Sequence, residues 1–226
     1  KNISKEKAIL DLIVCGALPE YRFIRDNYGY SNNEVQYLGF ARFDNLHDFR
    51  ARNQIMFMPT WRTWLSDISD EQFKTTQYFR IINDLLHSRQ LLKILEKNDL
   101  TFVLRLHPRM QQISDCFSCS SKHIIIADSH VDIQDLLKES VILITDYSSV
   151  FFDFAYMHKP IIYYQFDYSK FSTQHYEKGY FDYYKHGFGD VVKNETELIS
   201  SIENMIASNF ILQPRYLSRV EKFFPI

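Results

Sequence analysis

The sequence predicts an α/β fold built on a parallel sheet, and three observations point to it. Apolar runs of strand length recur along the chain, segments of helical period separate them, and the runs are continuous rather than alternating. Strands covered by helices on both faces have that character. The 226 residues are 46% hydrophobic and 16% aromatic, enough to bury a substantial core.

In chain order, Leu12-Ile13-Val14-Cys15 reads as a strand, followed by a helix over 20–27 that Gly29 closes. Val35-Gln36-Tyr37-Leu38 is a second strand, ended by Gly39. A polar segment with Asp44, Asn45 and His47 leads to a third strand, Ile55-Met56-Phe57-Met58, stopped by Pro59. Residues 70–98 carry an apolar side from Phe73 to Leu95, predicting helix with a break near His87-Ser88. Phe102-Val103-Leu104 runs into His107-Pro108, and Ile124-Ile125-Ile126 runs into Asp128. A short helix over 133–137 precedes the central strand, Val141-Ile142-Leu143-Ile144, and Ile161-Ile162-Tyr163-Tyr164 follows Lys159-Pro160. Near the end, Asn194-Glu195-Thr196-Glu197 reads as a capping box opening a helix. The expected domain boundary falls between Leu38 and Ile55, where loop-forming residues separate a first βαβ piece from the denser alternation.

Charge and cysteine usage narrow the class. A formal charge of −2 gives no overall basic character, which argues against a general nucleic-acid binder. No apolar run reaches membrane-spanning length, and no signal-peptide pattern precedes the first residues. An initial Lys suggests a piece of a longer protein. Three cysteines, a sparse and odd set, suggest a reducing, cytosolic compartment; Cys116 and Cys119 have redox or zinc spacing but no second pair, so they read as incidental thiols and no metal site is expected.

The most informative stretch is Ile144-Thr145-Asp146-Tyr147-Ser148-Ser149-Val150-Phe151-Phe152-Asp153, a buried strand that passes through a polar turn into a helix. Free backbone N–H groups and the hydroxyls of Ser148 and Ser149 suit an anion there, and Asp153 suits the paired hydroxyls of a ribose. Helix capping by Ser148 and a solvated Asp153 account for the same residues equally well. Ligands of open α/β sheets sit at the carboxyl ends of the strands. Arg62 after the third strand, His107 and Arg109 after the fourth, and the segment from Asp128 to Asp132 after the fifth therefore join the turn on one expected rim. Guanidinium groups fork onto phosphate oxygens, and an imidazole donates to a phosphate or protonates a leaving oxygen. A structural histidine at 107 and a surface salt bridge at Arg62 stay open, and Arg105, inside its strand, is expected to be buried against a carboxylate.

Pro59-Thr60-Trp61-Arg62, Leu106-His107-Pro108-Arg109, Asp132-Ile133-Gln134-Asp135-Leu136-Leu137, the long turn at 143–153 and Lys159-Pro160-Ile161 together resemble the CDP-glycerol glycerophosphotransferase family, the teichoic acid and teichoic-like capsule polymerases and primases. The resemblance runs over roughly 35–210. It implies a GT-B architecture of two Rossmann-like domains, with residues 39–226 as the C-terminal, nucleotide-binding domain and residues 1–38 as a remnant of the N-terminal, acceptor domain with its crossover.

By that resemblance His107 contacts the donor diphosphate and is the catalytic residue of this half. Thr145, Ser148 and Ser149 would hold the phosphates, Asp153 the ribose, and the backbone at Asp132 and Ile133 the cytosine; Arg62, Arg109 and Asp146 are counted with them as substrate-binding residues. The donor would be CDP-glycerol or CDP-ribitol, with no further cofactor, and the acceptor a lipid-linked polyol phosphate or capsule chain. The full-length protein would work in the cytoplasm, peripheral on the inner face of the membrane, with its general base in the N-terminal domain. The present chain would bind nucleotide without turnover.

Several positions depart from the family pattern. Ala41 replaces a Pro in Gly39-Phe40-Ala41-Arg42, Arg105 replaces a Lys, and Lys178 stands for Arg in Lys178-Gly179-Tyr180-Phe181-Asp182-Tyr183. The closing Asp-Gly and Ser-Arg segment of the family is expected to lie beyond the last residue. A different GT-B nucleotide-sugar transferase or epimerase, and a non-catalytic interaction module using the aromatic-rich stretch 163–184, remain as alternatives.

Overall fold

The structure, a computed structural model, describes residues 3–47, 52–66, 68–128, 130–174 and 180–225. Lys178 and Gly179 of the expected family match lie outside the described residues, as does Tyr176.

Two parallel sheets are present among the described residues. The smaller pairs β1 (Ile13–Cys15) with β2 (Val35–Tyr37), joined by α1 (Leu18–Asn27). Gly29 (φ 77°) and Gly39 (φ 77°) close α1 and β2 in the left-handed region, where a side chain is strained. A 3₁₀ segment, Ala41–Leu46, then leads into the larger sheet.

The larger sheet contains β3 (Gln54–Met58), β4 (Thr101–Leu104), β5 (Ile124–Ile126), β6 (Ile142–Thr145), β7 (Ile161–Tyr164) and β8 (Gly189–Val192), in the order β5-β4-β3-β6-β7-β8. Every pairing in it is parallel. The chain starts in the middle at β3, moves outward to β5, and returns to lay β6 on the other side of β3. The order therefore reverses between β3 and β6, and the carboxyl ends of those strands flank the crevice where open α/β sheets place ligands.

Alternate residues of each strand enter opposite cores, which explains the continuous apolar runs. Ile55, Phe57, Phe102, Leu104, Ile142 and Ile144 face a core closed by α3 (Gln77–Leu86), α4 (Arg89–Lys97) and α8 (Glu195–Ala207). Met56, Met58, Val103, Leu143, Ile161 and Tyr163 face the other core, closed by α5 (Ile133–Glu139), α6 (Val150–Tyr156) and α9 (Pro214–Phe223).

Three helices occupy the stretch predicted as one with a possible break: α2 (Asp70–Lys74), α3 and α4. The break at His87-Ser88 is present, with the Ser88 hydroxyl accepting from the Leu91 N–H. A second break falls at Thr75-Thr76, where the Thr76 hydroxyl caps α3 through the Phe79 N–H. Asn194 caps α8 by accepting from the Glu197 N–H at 3.0 Å. Lys159 is buried just before β7 and donates to the carbonyls of Leu137, Lys138 and Ser140 at 2.7–3.0 Å, closing the carboxyl end of α5. Cys15, Cys116 and Cys119 are free thiols. No helix among the described residues is long and apolar enough to cross a membrane.

Candidate functional site

Phe57 of β3 pairs with Leu104 on one side and with Ile144 on the other, so the ends of β4 and β6 are level across one intervening strand, roughly 10 Å apart. His107 leaves the sheet three residues beyond Leu104, and Ser148 four residues beyond Ile144. Both lie on the same carboxyl rim; His107 and Ser148 are half-buried and Ser149 is exposed.

The two halves of this rim are linked through residues 60–62. Trp61 turns toward the β4 side, its ring 6.2 Å from that of His107, with the Arg109 guanidinium over it at 4.6 Å. The His107 Nδ1 accepts from the Arg109 backbone N–H at 3.2 Å. A neutral His107 therefore carries its proton on Nε2, where it is a donor. Burial, and then the positive charges of Arg109 and Arg105, hold its pKa below the ordinary histidine value.

Thr60 and Arg62 turn the other way, toward β6. Asp146 Oδ1 accepts from the Thr60 N–H at 2.8 Å, from the Thr60 hydroxyl and from the Tyr147 N–H at 2.6 Å, while Oδ2 takes Arg62 Nη2 at 2.7 Å. Arg62 also forks onto Asp167, Nε to Oδ2 at 2.7 Å and Nη2 to Oδ1 at 2.9 Å, and Nη1 donates to the Thr60 carbonyl at 2.6 Å. The rings of Tyr78, Tyr147, Phe166 and Phe171 surround its guanidinium at 4.9–5.7 Å. Burial opposes this charge, but Asp146 and Asp167 outweigh it and raise the Arg62 pKa.

These contacts correct part of the sequence expectation. Arg62, Thr145 and Asp146 have 0% exposure, and the Thr145 hydroxyl is committed to the Met58 carbonyl at 2.7 Å. None of the three presents a side chain to solvent, so the expectation of an open, phosphate-facing side chain at these positions is not met. They hold the turn from beneath, and the Arg62 ion pairs are internal, not at the surface. Buried carboxylates are stable only when paired in this way.

Above the turn the geometry is open. Ser149 is the N-cap of α6 and makes no side-chain cap bond. The Ser148 hydroxyl accepts only a long, 3.5 Å contact from the Val150 N–H. Arg109 is exposed beside His107. Asp132 is exposed and caps α5 through the N–H groups of Gln134 and Asp135, with Ile133 half-buried next to it. Asp153 is buried on α6, and its two oxygens accept from Arg42 Nε at 2.7 Å and Nη2 at 3.3 Å. Gln134 donates to the Arg42 carbonyl at 2.9 Å, so the 41–46 segment is tied to both α5 and α6. Arg105 is buried as expected, under the field of Asp128.

Sequence reading assigned no role to Trp61, Asp167 or the Arg42–Asp153 pairing. Asp167 lies 105 residues from Arg62 and Asp153 lies 111 from Arg42, so no local pattern announces either pair. Trp61 was detectable, as an aromatic residue just beyond a strand end next to a predicted histidine.

The Bacillus subtilis minor teichoic acid biosynthesis protein GgaB is 34% identical over 98% of this chain, which spans 25% of that protein. The Staphylococcus aureus teichoic acid glycerol-phosphate transferase is 30% identical over 80% of the chain and 43% of its own length. The chain thus covers less than half of either relative. In fold it is similar to the wall teichoic acid polymerase TagF, with a TM-score of 0.71 and 20% identity over 99% of this chain and 55% of that one. Residues 1–226 match the CDP-Glycerol:Poly(glycerophosphate) glycerophosphotransferase family throughout, and the chain belongs to that family.

Proposed function

We propose that this chain supplies the donor half of a polyol-phosphate transferase, binding CDP-glycerol or CDP-ribitol at the carboxyl rim of the larger sheet. The observation that carries this reading is the level exit of His107 and of the Ser148-Ser149 turn on either side of β3, where the strand order reverses. The diphosphate lies between them. Nε2–H of His107, the Arg109 guanidinium and the two serine hydroxyls donate to its oxygens. The cytidine extends toward Asp132 and Ile133, with its ribose near the Arg42–Asp153 pair.

A terminal hydroxyl of the acceptor attacks the phosphorus bearing the polyol, a new P–O bond forms, and the bond to the CMP oxygen breaks. Charge gathers on the departing phosphate, so fixed donors are the main catalytic resource of this half. The acceptor is a lipid-linked polyol phosphate or a capsule chain, presented at the cytoplasmic face of the membrane by the full-length protein. Residues 1–38 belong with the acceptor-side domain, which provides the base. The donor is a substrate, and the reading calls for no cofactor.

Calorimetric titration of the chain with CMP and CDP-glycerol tests this. Saturable binding is expected, weakened roughly tenfold or more by His107→Ala and by the Ser148→Ala/Ser149→Ala pair. Uridine nucleotides and 2′-deoxy-CMP bind less tightly. Absence of cytidine-nucleotide binding, or indifference to both variants, overturns the reading.

A further inference from the structure

A second concentration of chemistry lies away from the donor rim, on α9. Arg215, Arg219 and Lys222 are spaced i, i+4 and i+7 and share one face of this helix, in axial steps of about 6 and 4.5 Å. Arg219 and Lys222 also line a cavity of ≈ 660 Å³ between α9 and α1, where Arg22 and Lys185 add two further cations. Arg22, Lys185 and Lys222 are exposed. The cavity is floored by aromatic rings: Phe23 lies 5.2 Å from Tyr180, and Phe223 lines the α9 side.

Asp26 is the acidic residue among those lining this cavity, and it is engaged by Arg25 at 2.7 and 3.2 Å. On the other side of Arg219 a polar cavity of ≈ 650 Å³ includes Ser200 and Asn204. Its acids are also engaged. Asp190 accepts from Arg215, Tyr216 and Ser201, and Glu197 accepts from Asn194 and the Lys193 N–H. In a chain of net charge −2 this is a local excess of positive charge, spread around one cavity by α1, α9 and Lys185, with Arg215, paired to Asp190, further along α9. No residue of either cavity belongs to the donor rim.

We propose that the basic face of α9 and the cavity beside α1 bind the polyol-phosphate chain itself, a hydroxyl-bearing polyanion. Successive phosphates pair with Arg22, Lys185, Arg219 and Lys222, and the carbon units between them lie on Phe23, Tyr180 and Phe223. Four cations spread around a cavity of ≈ 660 Å³ can meet more than one phosphate of a repeating chain, which a single headgroup does not offer, and aromatic floors accept the C–H faces of polyols. The choice of polymer rests on the transferase reading above. The site holds product or acceptor away from the reacting end, so that a growing chain keeps its grip between transfers.

The test uses a fluorescently labelled, lipid-free glycerol phosphate oligomer and measures anisotropy on the 226-residue chain. Arg22→Ser/Lys185→Ser/Lys222→Ser replaces exposed side chains, and circular dichroism verifies that it folds. Binding is expected to weaken roughly tenfold in this variant, since each screened contact alone carries less than one such factor, and its salt dependence becomes shallower. His107→Ala leaves oligomer binding unchanged. Wild-type affinity in the triple variant overturns the proposal. So does equal binding of inorganic polyphosphate, which marks a generic anion site, or binding to phosphatidylglycerol vesicles without binding to the oligomer, which marks a lipid surface. If the wild type ignores CMP and CDP-glycerol yet holds the oligomer through these residues, the donor reading falls and this site stands.

Discussion

The Arg62 guanidinium reaches the Asp146 carboxylate at 2.7 Å with both side chains at 0% exposure, and this contact ties the end of β3 to the turn after β6. The pair spans the reversal of strand order, so the geometry of the carboxyl rim depends on it. Asp167 brings the end of the β7–α7 connection, just before α7 (Tyr168–Gln174), to the same guanidinium.

Removing that cation leaves two desolvated carboxylates facing one another. Arg62→Met is expected to cost about 3–5 kcal/mol of stability, and Arg62→Lys to recover only part of it because an ammonium cannot fork onto both partners. Urea denaturation measures both. A loss below about 1 kcal/mol in Arg62→Met would show that the network does not hold the turn.

Trp61 is expected to act through its neighbours. Trp61→Ala removes the surface on which His107 and Arg109 rest, weakening CMP binding about fivefold to tenfold with little change in melting temperature, and Trp61→Phe restores part of it. Titration calorimetry on the three proteins decides this. Equal affinities would separate the indole from the site.

The depressed pKa of His107 gives a pH signature. Its folded value lies below 6.5, so the unfolded chain takes up the proton first as pH falls. The stability linked to this group is present above pH 6.5 and is lost as pH drops through the folded value. A bound phosphate reverses the bias and raises the pKa. Histidine NMR titration with and without CDP-glycerol reads the shift directly, and an unchanged pKa in the complex would place the diphosphate elsewhere.

Lys159→Met deprives three carbonyls at the end of α5 of their donor and is expected to cost about 2 kcal/mol. Burial pushes this ammonium from 10.5 down to about 8, so between those values the unfolded chain holds more protons than the folded one. Wild-type stability relative to Lys159→Met should therefore increase as pH rises from about 8 to 10.5. Parallel chemical denaturation series across that range test the sign.

Much of the larger sheet was legible because its strands are buried on both faces and their apolar runs are uninterrupted. β8 was not, since Gly189-Asp190-Val191-Val192 offers only two apolar side chains after a glycine. α9 carries Tyr216, Val220 and Phe223 at helical spacing behind Pro214, a readable pattern that the aromatic crowding upstream masked. At the site, His107 and the Ser148-Ser149 turn could be placed on one rim because parallel strands share an end. Which polar residues face outward could not. A charged residue just past a strand reads as solvent-exposed, and the carboxylates that neutralise Arg62 inside the fold lie more than eighty positions away.

Successive residues at 60, 61 and 62 serve opposite sides of the rim, inward, outward and inward. Inserting or deleting one residue after Pro59 would rotate the set by half a turn, pressing an indole against the aspartates and casting a guanidinium into water. This loop is a ratchet whose register is the specification, so its contacts can be varied only by changing side chains in place.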